Sequence, residues 1–126
     1  MSKIQILIEF KTALVDFFDE LIEQFPDEGD LVMVRIFIND QVPIADVMSV
    51  FITRLLPLKD IVAKRDVNFF LGPSASSLFE KLDKGKVNYF KILWQSDRLD
   101  DSDRAQIWKW YDYFIIIAEK YQKAMV

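Results

Sequence analysis

SKIQILIEFKTALVDFFDELIEQFP, residues 2–26, decides the fold. Within it Ile4, Leu7, Ile8, Leu14, Phe18, Leu21, Ile22 and Phe25 recur at steps of three and four, the period of a helix laid against a core. Ser2 followed by Gln5 has the form of a capping box, in which each side chain satisfies the other's backbone amide. Pro26, Asp27, Glu28 and Gly29 then predict a turn. On a helical wheel Gln5, Glu9, Thr12, Asp16, Asp19, Glu20 and Glu23 form one polar stripe, while Ile6, Phe10 and Phe17 widen the apolar face, so the sequence predicts a helix packed on several sides.

Outward from this helix the pattern stays helical. Leu31 to Ile38 holds strand-formers, but it follows Asp30, a good N-cap, and no hairpin turn marks it, so it is assigned as helix. Pro43 suits the first turn of a helix carried by Ile44, Val47, Met48, Phe51, Ile52 and Leu55, and Pro57 opens a shorter piece through Val62. Asn68 to Pro73 reads as irregular, followed by a short helix from Ser74 or Ser76 through Leu82 and another from Val87 to Gln95. Asp100 or Asp101 caps the last helix, Ser102 to about Lys123, whose first-turn acids suit the helix dipole. No repeat or linker divides the 126 residues, so the expected fold is all-α, a single-domain compact helical bundle of about six helices spanning 1–126.

Neither histidine nor cysteine occurs, which removes the usual general base, the common zinc and iron–sulfur ligands and the redox nucleophiles. The expectation is a non-enzymatic protein with no cofactor and no metal site. Asp16, Glu20 and Glu23, spaced as in a magnesium-dependent hydrolase, supply a third-ranked enzymatic alternative, but no second acidic helix matches them. Asp97, Asp100, Asp101 and Asp103 lack the glycine and the terminal glutamate of a calcium loop and read better as helix N-terminal charge. Ser74, Ser76 and Ser77 have no catalytic partner.

Two surfaces stand out for binding. The hydrophobic content of 52 %, including eleven Phe, exceeds what a core of this size needs and points to a buried partner surface. On the last helix Tyr113 and Ile116 fall in the polar arc, with Trp110 and Ile117 at the edge of the apolar one; these four are the expected contact for a protein partner or a homo-oligomer. The second surface is basic. Residues 41–96 carry eight bases to five acids, against three to nine in residues 1–40, and Lys59, Lys64, Arg65, Lys81, Lys84, Lys86 and Lys91 beside aromatics form the alternative, a nucleic-acid contact. That charge is weak for a dedicated nucleic-acid binder, so nucleic acid ranks second. With no signal peptide in the first residues and a longest apolar run of six, Tyr113 to Ala118, no membrane partner and an intracellular location are expected.

Several runs carry a resemblance: Phe25-Pro26-Asp27-Glu28-Gly29-Asp30-Leu31, Arg35-Ile36-Phe37, Asp40-Gln41-Val42-Pro43, Arg65-Asp66 before Phe69-Phe70, Leu93-Trp94, and Ile107-Trp108-Lys109-Trp110-Tyr111-Asp112. Together they resemble small helical proteins of large nucleocytoplasmic DNA viruses of algae and protists, over roughly Phe10 to Tyr121. That group brings no assigned activity. The resemblance implies a viral source, presence in the cytoplasm or nucleus of an infected cell, and incorporation in the particle or a role in its assembly.

Overall fold

The computed structural model describes residues 2–72, 74–79 and 89–124. Among them the chain is helical without strands, in the order α1 (Lys3–Gln24), α2 (Gly29–Ile36), a π-helical turn (Phe37–Gln41), α3 (Ile44–Arg54), a 3-10 turn (Leu56–Leu58), α4 (Lys59–Ala63), α5 (Asn68–Leu71), α6 (Ser74–Ser77), α7 (Tyr89–Trp94) and α8 (Asp101–Ala124). Six of these α-helices have five or more residues, and α5 and α6 are single turns.

The long helices α1 and α8 form the frame, and both are capped by reciprocal bonds. Ser2 Oγ accepts from the Gln5 amide and Gln5 Oε1 from the Ser2 amide, each at 3.2 Å. At α8 Asp100 and Asp103 do the same for each other, at 2.8 and 3.1 Å, with aspartate in both places where a Ser and Glu are usual. The two helices run antiparallel: Gln24 reaches Asp103, Glu20 accepts from Trp110, and Glu9 lies beside Tyr113 and Lys120.

Between them the rings form a continuous edge-to-face network. Phe10 meets Phe51 at 5.0 Å and Phe114 at 6.4 Å, tying α1 to α3 and α8. Phe17 meets Tyr111 and Phe114 at 5.8 and 5.4 Å. A second knot stacks Phe70 on Trp94 at 4.2 Å with Trp108 at 4.7 Å across the edge. Such pairs contribute about 0.5–1.5 kcal/mol each beyond the area they bury, and the buried side chains join in one cluster.

Three local expectations need correction. Asn68–Leu71 is not irregular but one helical turn: the Asp66 carboxylate accepts from the Asn68 amide at 3.0 Å, and burial of Phe69 and Phe70 holds the turn against the core. It stops at Gly72, where a Cβ would sit 3.0 Å from the Asn68 carbonyl oxygen. Asp30 lies in the first turn of α2 rather than capping it, because the helix already starts at Gly29. Most consequentially, Ile4 and Ile8 are not core residues: the buried face of α1 is Ile6, Phe10, Ala13, Leu14, Phe17, Phe18 and Leu21, rotated toward α3 and α8 by the larger rings. Residues 80–88, which include the ends of the two helices expected on either side of Lys84-Gly85, lie outside the described residues.

Candidate interaction surface

The α8 residues singled out by sequence have different fates. Ile117 is fully buried, so it belongs to the core and offers nothing to a partner; the antiparallel approach of α1 covers that edge of α8. Trp110 is partly buried against Phe17 and Phe114, and its indole N–H donates to the Glu20 carboxylate. The Tyr113 phenol donates to Glu9 at 2.9 Å; partial burial, aided by that bond, raises its pKa above the usual tyrosine value. Ile116 stays 49 % exposed, in an outward arc otherwise made of Lys109, Asp112, Lys120 and Lys123. The four expected contact residues therefore do not form one apolar surface.

Exposed apolar residues that the sequence reading did not single out as contacts lie on α1 and α2. On α1, Ile4 is 71 % and Ile8 61 % exposed, and Val15 and Ile22 are partly buried. At about 100° per residue these four fall within roughly 40° of one another and make a stripe along the whole helix. On α2, Val32 and Ile36 are exposed and four residues apart, hence neighbours on one edge. Arg35 of α2 donates from Nε to Asp19 Oδ1 at 2.5 Å, which docks that edge beside the Val15 and Ile22 part of α1. The outcome is two exposed apolar pairs on one helical hairpin, Ile4 with Ile8 on α1 and Val32 with Ile36 on α2, while Val15 and Ile22 between them pack against the core. The clue lay in the sequence: Ile4, Ile8, Val15 and Ile22 form a stripe distinct from the one through Phe10 and Phe17.

The basic set divides. Lys59 pairs with Glu119 at 2.9 Å. Arg65 makes two bonds to Asp112, at 2.8 and 2.6 Å, and lies over the Trp108 ring at 5.6 Å; the bond to Asp112 is the main cause of its raised pKa. Both cations are thus paired with acids of α8. Lys64 is exposed and Lys91 half-buried on a different helix, and Lys81, Lys84 and Lys86 lie outside the described residues.

The carboxylates do not converge. Asp16 is exposed, Glu20 is engaged by Trp110, and Glu23 borders a cleft of about 120 Å³ between α1 and α8. Among the described residues no three carboxylates are grouped as metal ligands. Asp100 and Asp103 cap α8. No single described helix is long and apolar enough to cross a membrane; Gly29–Gln41 and Ile44–Ala63 reach that composition only jointly, across a 119° bend, and bury Leu31, Val34, Val47 and Phe51 in the core. Comparison with protein-family models, with curated proteins and with solved structures finds no match to this chain.

Proposed function

We propose that this protein is a non-enzymatic interaction module whose contact surface is the exposed apolar residues of α1 and α2, in the setting implied by the viral resemblance: an assembly or particle-associated protein of an infected cell. The observation that carries the reading is the exposure of Ile4, Ile8, Val32 and Ile36 along one hairpin, beside a core that already contains the large rings. Large apolar side chains exposed in neighbouring turns of one helix, as Ile4 with Ile8 and Val32 with Ile36 are, suit a contact site. The absence of histidine and cysteine adds support by leaving few routes to catalysis.

A photo-reactive residue at position 8, in protein expressed in its native setting, tests the reading. The expected result is a discrete adduct with one defined protein, and none from the same probe at Asp60 on α4. A diffuse smear or no adduct from position 8 overturns it.

A further inference from the structure

We infer that the outer face shared by α1 and α8 is a self-association surface, on which a second copy of this chain packs about a two-fold axis running along the seam between the two helices. This face lies apart from the hairpin contact proposed above. Its composition follows from the side to which each residue is held. On α1, Glu9 and Glu20 turn toward α8, where they meet Tyr113 and Trp110, and Asp19 turns toward α2, where it meets Arg35. Between those two sides of the helical wheel fall Gln5, Thr12, Asp16 and Glu23, all exposed. On α8, Trp110 and Tyr113 mark the α1 side, while Asp112 and Glu119 bond to Arg65 and Lys59 on the α4 side. Between them fall Lys109, Ile116, Lys120 and Lys123, likewise exposed. One face therefore carries an acidic half on α1 and a basic half on α8, with Tyr113 and Ile116, 36 % and 49 % exposed, at and beside the seam. Among the described residues no hydrogen bond or ion pair engages Asp16, Glu23 or Lys109, so their charges are available to a partner.

The charge pattern selects the occupant. A two-fold contact sets a surface against its own image, so each half must attract what lands on it. With the axis along the seam, α1 of one copy lies over α8 of the other, and every residue keeps its height along the helices. The contacts of Gln24 with Asp103, Glu20 with Trp110 and Glu9 with Lys120 put Lys109 level with the stretch between Asp16 and Glu23, and Ile116 level with Thr12. Each Lys109 then faces the two acids of the other copy, and Tyr113 and Ile116 of both copies gather near the axis. An apolar centre with a charged rim is the usual anatomy of a protein contact. A two-fold axis across the helices instead lays α1 on α1 and α8 on α8, acids against acids and lysines against lysines, and that repulsion selects against it.

Sedimentation of charge variants tests the inference. A variant carrying Asp16→Lys with Glu23→Lys, and a second carrying Lys109→Glu, are each expected to weaken self-association at least about tenfold. An equimolar mixture of the two is expected to associate to within about threefold of wild type, because every opposed pair in the mixed dimer again has opposite signs. That recovery also shows that both variants fold. A wild type that stays at the chain mass up to millimolar concentration, or a mixture no better than its components, overturns the inference. The photo-reactive probe at position 8 separates this from the hairpin reading. A discrete adduct there from a chain that does not self-associate leaves the hairpin reading standing while this inference falls, and self-association without such an adduct does the reverse.

Discussion

Tyr111 sits where four ring neighbours meet, and its hydroxyl has no hydrogen-bond partner among the described residues. A buried hydroxyl without a partner costs about 1–3 kcal/mol of desolvation, so Tyr111→Phe is expected to stabilise the fold by about 1 kcal/mol and to raise the melting temperature by a few degrees. Burial also pushes the Tyr111 pKa well above the ordinary tyrosine value. The folded state therefore keeps a proton that the unfolded chain releases, and stability is full below about pH 10 and falls as the pH climbs beyond it. Denaturation midpoints between pH 8 and pH 11 should drop less steeply in Tyr111→Phe; parallel curves would contradict this. Arg65 supplies a second residue-level test. Its φ of 56° is left-handed, and it ends α4 with its amide on the Val62 carbonyl and the Asp66 amide on that of Ile61, a position that glycine usually fills. Arg65→Ala loses the Asp112 bonds and keeps the backbone strain, whereas Arg65→Gly loses the same bonds and relieves it. Urea denaturation should find the glycine variant the more stable by about 1 kcal/mol. Neither situation was legible in the sequence, because an orphaned hydroxyl and a left-handed arginine depend on what the rest of the chain brings around them.

At the scale of the element, α1 shows where sequence reading works and where it stops. Its extent, its Ser2 and Gln5 cap and its exit at Pro26 were written in local chemistry and follow from it. So was the start of α8 near Asp100, though not that Asp103 would return the bond. Which of two apolar stripes on α1 turns inward was not legible: both have helical spacing, and the choice falls to the Phe10 and Phe17 rings because they fill the space between α3 and α8. The same ambiguity affects which residues are exposed: Ile117 at the edge of the α8 wheel is buried while Ile4 and Ile8 are left outside. Substitution separates the stripes. Phe10→Ala should destabilise the protein by about 3–5 kcal/mol, and Ile8→Asp by no more than about 0.5 kcal/mol. Thermal melts of the two variants measure this, and comparable losses in both would contradict the assigned faces.

For the whole molecule, an all-α bundle was legible from periodicity and punctuation because the long segments repeat at the helical period and the one competing run of strand-formers, Leu31 to Ile38, carries no hairpin turn. The proposed function was not, since it rests on exposed residues of α1 and α2 brought onto one hairpin through Arg35 and Asp19, a pairing sixteen residues apart that spacing alone does not disclose. The account takes that hairpin surface as the reason for the surplus of apolar side chains, and its most direct test is covalent capture of what lies on it. A photo-reactive residue at position 8 should give one discrete adduct, and the added substitution Ile4→Asp one turn away should abolish it. No adduct from position 8, or an adduct that survives Ile4→Asp unchanged, would contradict it.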